Sequence, residues 1–331
     1  MLIRIKRQTR FVFMACAAVM AFAAGSLLMV DWGANEGDGL DIAISEVHAE
    51  MAIHCPEDYV RVRARPEVGT QHDFCVMRAH ARSDSREPRR DRAKLITDLS
   101  RRAATNFMHH HAQRACKNLG PGFALISNVE WMTIARDLEM QPENWSSGKV
   151  GVGVFVRGHT DDSPRHPLNI ENLNDPYDQT GNSAVDKPGE GWEQRRTFVL
   201  SSGEVIWDFS GNYWHWVDWY VDGPERARSL QPHLREGDWL HFDEVDLAQA
   251  ANSKMPPESW SPLHLGREHG LGRYLPGEFA HGGYAMRGGS WLNDSRAGVY
   301  SLSLAFAGAC APAGISFRCV YRPHEADSEQ P

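Results

Sequence analysis

The chain lacks the short motifs that mark most metal and redox sites. No two cysteines are spaced C-x-x-C, which removes a zinc knuckle and a thioredoxin-like dithiol. The histidines at 233, 241, 264, 269 and 281 include no pair at the i, i+4 spacing of a helical H-E-x-x-H site. His109-His110-His111 are consecutive, so they fan around a helix and cannot share one ion. Asp161, Asp162, Asn174, Asp175 and Asp178 offer oxygen ligands but not the spacing of an EF-hand. No nucleophile elbow surrounds Ser290. Positive charge is in the minority: the net charge of −8 argues against nucleic acid as the main partner.

What the chain does have is size, tryptophan and turns. Its 331 residues, 42% of them hydrophobic, suffice for one large domain or two small ones. Eleven Trp suggest an aromatic core, a binding face or both, and 29 Gly with 18 Pro point to many turns.

The N-terminus reads as an export signal. Arg4, Lys6, Arg7 and Arg10 precede an apolar run from Phe11 to Val30. Residues 1–30 are either a cleaved signal peptide, with an A-x-A site at Ala21-Phe22-Ala23, or an uncleaved anchor in the inner membrane through residues 11–30. Either form places residues 50–331 in the periplasm or beyond. Cys16 has no convincing lipobox. Residues 31–50 are an acidic, Gly-rich tether, 51–325 the folded domain and 326–331 a tail. Five cysteines remain beyond the signal, enough in an oxidising compartment for two disulfides with one left over.

Along the domain, the alternation at Tyr59–Arg63 and Phe74–Met77 predicts a hairpin, which a Cys55–Cys75 bridge would staple. Arg82 to Lys94 is a charged loop. A helix is expected from Thr97 or Ser100 towards Cys116, closed by Gly120. Ser127-Asn128-Val129-Glu130 is a capping box, and the helix after it places Trp131, Ile134, Ala135 and Leu138 on one face. Residues 140–196 and 222–282 are long and irregular. Between them, Thr197–Leu200 and Glu204–Trp207 read as two short strands, and the alternation after Gly211-Asn212 puts Trp214, Trp216 and Tyr220 on one face.

Four segments in order carry a resemblance. Ala115–Gly120 with Leu125–Trp131 and Ala135-Arg136, then Asp208 to Trp219, then Arg287-Gly288-Gly289-Ser290-Trp291, and finally Phe317-Arg318-Cys319 are similar to the cysteine helix, the "LPTEAEW…AR" helix, "GNVWEW", "RGGSW" and "GFRC" of the formylglycine-generating enzyme (sulfatase-modifying factor) family. The match spans roughly residues 51–323. It implies an α+β, C-type lectin-like fold of the sulfatase-modifying-factor type, with little regular secondary structure and long loops. It also implies a Cys116–Cys319 disulfide, and with Cys55–Cys75 that leaves Cys310 unpaired.

The same resemblance exposes two departures. The family's two copper-binding cysteines correspond to Asn293 and Gly298, while Ser290 is retained. An amide and a bare Cα cannot serve as thiolate ligands for Cu(I), so copper and the family's oxidation are not expected. The family's calcium segment corresponds to Asp208, Gly211, Tyr213 and His215; imidazole in place of the carboxylate leaves at most a weakened Ca2+ site at Asp208, Gly211 and Tyr213.

The sequence therefore suggests an exported, non-catalytic binding module for an envelope or extracellular protein or glycan. Its expected ligand residues are Trp291, Asn293, Asp294, Arg296 and Tyr300. The alternatives are an exported enzyme acting on a protein substrate, of the formylglycine-generating type or another, and a structural protein of the envelope.

Overall fold

The computed structural model describes residues 53–84, 94–161, 164–181, 191–221, 269–275, 283–305 and 313–328. The chain divides into Met1–Ala52 and Ile53–Pro331. The first unit, with the expected signal and tether, lies outside the described residues, as do Cys310, Asp162, His233, His241, His264, His281 and most of the Arg82–Lys94 loop. Among the described residues no helix is long and apolar enough to cross a membrane.

The second unit is mixed α+β. Its strands are β1 (Tyr59–Val62), β2 (Phe74–Met77), β3 (Arg82–Ser83), β4 (Leu95–Ile96), β5 (Phe123–Leu125), β6 (Thr197–Val199), β7 (Val205–Trp207), β8 (Trp214–Val221), β9 (Tyr274–Leu275), β10 (Gly283–Arg287), β11 (Leu302–Ser303), β12 (Ile315–Phe317) and β13 (Cys319–Tyr321). Its α-helices are α1 (His109–Lys117), α2 (Asn128–Glu139) and α3 (Pro323–Ser328). A four-stranded sheet runs β1-β2-β13-β5 and a five-stranded sheet β12-β8-β10-β11-β9, with β3-β4 and β6-β7 as separate hairpins.

The expected hairpin is β1–β2, in register Tyr59 to Met77 and Val62 to Phe74, and Cys55 is bonded to Cys75. The β6–β7 pair also forms as read, Thr197 opposite Trp207. The capping box opens α2. Ser127 Oγ accepts the Glu130 N–H, and Glu130 Oε2 accepts the Ser127 N–H at 2.8 Å. Glu130 further binds Arg322 at 2.7 and 2.9 Å, which ties the start of α2 to the segment entering α3. Trp131, Ile134, Ala135 and Leu138 are all fully buried, and the Trp131 N–H reaches the Val299 carbonyl at 2.8 Å.

One expectation is corrected. The first helix starts at His109, not at Thr97 or Ser100. The chain before it is tied to a strand edge: Ala104 N–H donates to Ala81 O at 2.7 Å, and Arg82 bridges Ala103. Asn106 then takes a positive φ of 60°, which no helix interior allows. The three histidines open α1, with His109 buried, His110 exposed and His111 half-buried, and the rings of His110 and His111 lie 4.1 Å apart. Tyr220 keeps the side of Trp216, its ring 5.1 Å from Tyr284, which stacks on His109 beside Trp216, but it is 52% exposed while Trp214 and Trp216 are buried. A bulge lies between them, because β8 and β10 shift register between Tyr284 and Met286.

The strands β12 and β13 flank Arg318 and belong to different sheets. Cys319 is bonded to Cys116 on α1 across a sequence separation of 203. In the chain-entropy model this long loop contributes about 5 kcal/mol, and the Cys55–Cys75 loop of separation 20 about 3 kcal/mol. Urea unfolding of Cys116→Ser/Cys319→Ser should therefore show a larger loss than Cys55→Ser/Cys75→Ser. Equal or inverted losses would contradict the ordering.

Candidate ligand-binding site

The segment after β10 is built on a buried cation. Arg287 donates from Nε and Nη2 to Asn128 Oδ1 at 3.0 and 2.7 Å, and from Nη1 to the Tyr300 carbonyl at 3.0 Å. It is fully buried with no carboxylate among these partners. Burial brings its pKa down to about 9, so it remains charged at neutral pH. Asn128 is the first residue of α2, so Arg287 joins the helix to the end of β10. Gly288 and Gly289 follow with φ of 89° and 81°. A Cβ on Gly288 would stand 2.9 Å from the Phe209 carbonyl, and one on Gly289 2.6 Å from the Ala297 Cβ. Both positions need glycine for space as well as for conformation.

The loop then turns on Asn293. Its Oδ1 accepts the Ser290 N–H at 2.7 Å and the Ser290 hydroxyl at 2.8 Å, and its N–H returns to the Ser290 carbonyl at 3.0 Å. Ser290 is 5% exposed and its hydroxyl proton is already committed. Asp294 takes φ 53° and donates its N–H to Thr160 O at 2.7 Å, opening the 3-10 turn Asp294–Arg296. Trp291 donates its N–H to Asn212 O at 3.3 Å. Leu292 (52% exposed), Asp294 and Ser295 face solvent, with Trp291, Asn293 and Arg296 half-buried beside them.

Tyr300 does not join them. It is fully buried, and its hydroxyl donates to Glu139 Oε2 at 2.6 Å, so it serves the core rather than the surface. Gly298 is fully enclosed as well. At φ 154°, a Cβ there would overlap the backbone of Leu271 and Gly272, closer than real Cβ contacts come.

The residues expected around calcium have other partners in this structure. Both carboxylate oxygens of Asp208 bind Arg196, at 2.9 and 2.7 Å. The Gly211 carbonyl accepts the Tyr213 N–H at 2.7 Å. Tyr213 is buried, which pushes its phenol up to about 12. His215 stacks on His80, ring centroids 4.2 Å apart and planes 12° from parallel. Arg318 Nε donates to His215 Nε2 at 3.0 Å, so that nitrogen must be the unprotonated one. Burial, and then the Arg318 charge, keeps His215 well below the usual histidine range. Burial, and then His215 and the nearby arginines, does the same for His80, neither of whose ring nitrogens has a hydrogen-bond partner among the described residues. Asp175 and Asp178 are spent on turns, accepting the N–H groups of Tyr177 (2.9 Å) and Glu171 (2.6 Å). Among the described residues no group of three or more His, Cys, Asp or Glu is placed to hold a metal.

Sequence reasoning missed Arg196, Asn212, Asn128 and His80. Asn128 and Asn212 stand in segments that the sequence does single out, but their side-chain partners Arg287 and Leu168 lie 159 and 44 residues away, and Arg196 and His80 stand in no local pattern.

No protein-family model matches the chain, and no curated protein does. Among solved structures the chain is similar to Treponema denticola variable protein 1, at 12% identity over 80% of this chain and 92% of that one, with a TM-score of 0.31. It is also similar to the Major Tropism Determinant P3c variant, at 12% identity and a TM-score of 0.30, over 81% of this chain and 53% of that one. The chain thus spans about half the length of the second. At these scores neither neighbour assigns a fold family or a function.

Two outcomes follow from the geometry. Folded His80 and His215 have pKa values below 6.5, so the unfolded chain takes up protons that the folded one excludes. Their contribution is complete above the unfolded pKa and is lost on acidification, at up to about 1.4 kcal/mol per pH unit for each histidine. His80→Leu should flatten the fall in stability between pH 6.5 and 5; an unchanged slope in urea titrations would contradict this. Gly298→Ala should lose about 3 kcal/mol or more, because rigid backbone rather than a flexible side chain is in the way. A thermal midpoint near wild type would show that the Leu271 segment gives way freely.

Proposed function

We propose that this chain is a non-catalytic binding module of the sulfatase-modifying-factor type, with a C-type lectin-like fold, working outside the cytoplasm on a protein or glycan of the envelope or the extracellular space. The observation that carries this reading is Gly298. The second copper thiolate of the resembling family would fall at this position, and backbone from Leu271 and Gly272 occupies the space a side chain would need. The first thiolate's position, Asn293, holds an amide whose oxygen is folded back on Ser290. The loop supports recognition better than catalysis. Leu292 and Trp291 supply apolar contact, Asp294 and Arg296 supply charge of both signs, and Asn293 holds the turn that presents them. Two disulfides in the folded unit support the extracytoplasmic location.

The test is a binding screen of the purified domain on glycan and envelope-protein arrays, followed by titration of any hit. Trp291→Ala/Leu292→Ala and Asp294→Ala/Arg296→Ala should each weaken Kd at least about tenfold with unchanged unfolding midpoints. Full affinity in both would move the site elsewhere. Turnover of a sulfatase-type Cys peptide with copper and oxygen, read as thiol-to-aldehyde mass loss, would instead establish the enzyme reading.

A further inference from the structure

Every hydrogen-bond acceptor of the Arg196 guanidinium is an oxygen, and the Trp207 ring stands 5.5 Å over its face. Nε and Nη2 bind the two carboxylate oxygens of Asp208 at 2.9 and 2.7 Å. Nη1 donates to the carbonyls of Asn169 and Asp178, both at 2.8 Å, and lies 3.7 Å from Asp178 Oδ2. Nη2 also reaches the Leu168 carbonyl at 3.4 Å. Arg196 is fully buried, and the two carboxylates are almost so. Two carboxylates and three backbone carbonyls form a donor set typical of calcium, a hard cation that takes six to eight oxygens. A divalent ion placed there would confront a fixed guanidinium in a poorly screened interior, so a metal and Arg196 exclude each other.

We infer that the Arg196 side chain is the permanent cation of this cage, taking over the work that a divalent metal would otherwise do for the loop at 164–181. That loop contains no α-helix or strand among the described residues, and the guanidinium gathers it from both ends, through Leu168 and Asn169 on one side and Asp178 on the other. Asn212 extends the cage towards the candidate ligand loop. Its Nδ2 donates to Asp208 Oδ2 at 3.0 Å and to Leu168 O at 2.9 Å, and its Oδ1 accepts the Leu168 N–H at 2.8 Å. Its own carbonyl accepts the Trp291 N–H at 3.3 Å. A covalently attached cation cannot be chelated away, so the loop frame holds its shape whatever the calcium level. Removing Arg196 takes from the two buried carboxylates the cation that lies between them and should uncover a latent divalent-cation site.

The test compares wild type, Arg196→Ala and the charge-neutral double variant Arg196→Met/Asp208→Asn by thermal unfolding in EDTA or excess calcium, with sensitised terbium luminescence as a second readout. Wild type should show the same Tm in both media and no terbium signal. Arg196→Ala should unfold earlier in EDTA, recover at least about 5 °C in calcium, and bind terbium in competition with calcium. The double variant should fold and ignore both ions. A wild-type Tm that drops in EDTA would overturn the inference. So would an Arg196→Ala protein that neither recovers in calcium nor binds terbium.

Discussion

Arg318 stands at the one-residue crossing between β12 and β13, where the chain passes from the five-stranded sheet to the four-stranded one. Its guanidinium binds both sheets from inside. It donates to the Met77 carbonyl at the end of β2 (2.9 Å), to the Trp207 and Asp208 carbonyls at the end of β7, and to His215 on β8. It is fully buried, and burial lowers its pKa to about 9, which still leaves it charged near neutrality. Carbonyl groups at strand ends have lost their ladder partners and need donors. A planar cation with five N–H groups can satisfy several at once and hold them in fixed relative positions. Arg287 does the same between α2 and β10, and Arg196 between Asp208 and the 164–181 loop. A domain with short strands and long loops is thus joined in its interior by three arginines that bind backbone carbonyls together with the side chains of Asn128, Asp208 and His215.

This arrangement explains why the two histidines beside Arg318 are neutral. His215 must present a bare nitrogen to Arg318, and His80 lies flat against it with no partner among the described residues that would favour a proton. Protonating either ring would add a cation to a site already holding Arg318, Arg196 and Arg82. The disulfide from Cys319 to Cys116 lies one residue beyond Arg318 and fastens the same crossing to α1. Covalent and ionic restraints thus act on one point of the chain.

Features that depend on neighbours in the chain are legible in the sequence itself. The capping box at Ser127, the β1–β2 and β6–β7 pairs and the Cys55–Cys75 staple all follow from local spacing. The Cys116–Cys319 bridge came with the family resemblance rather than from spacing. Features set by distant partners are not legible in this way. Thr97–Met108 has residues fit for a helix, but pairing with Ala81 and Arg82 claims its backbone. Tyr300 has the composition of a recognition residue, yet Glu139 on α2 takes its hydroxyl into the core. Asp208 looks like a cation ligand and is one, but its cation is Arg196, which sits in a segment with no pattern of its own. Of the candidate ligand loop, Trp291, Asp294 and Arg296 keep a place at the surface, whereas Asn293 proves to be the residue that shapes the turn.

The central claim is that Arg318 holds the two sheets together as one unit. Hydrogen exchange of Arg318→Met, followed by mass spectrometry, tests it most directly. The account predicts that peptides covering β2, β7, β8 and β13 lose protection together and by similar factors, since their shared donor is gone. Loss confined to the residues flanking position 318, with β2 and β8 protected as in wild type, would contradict it.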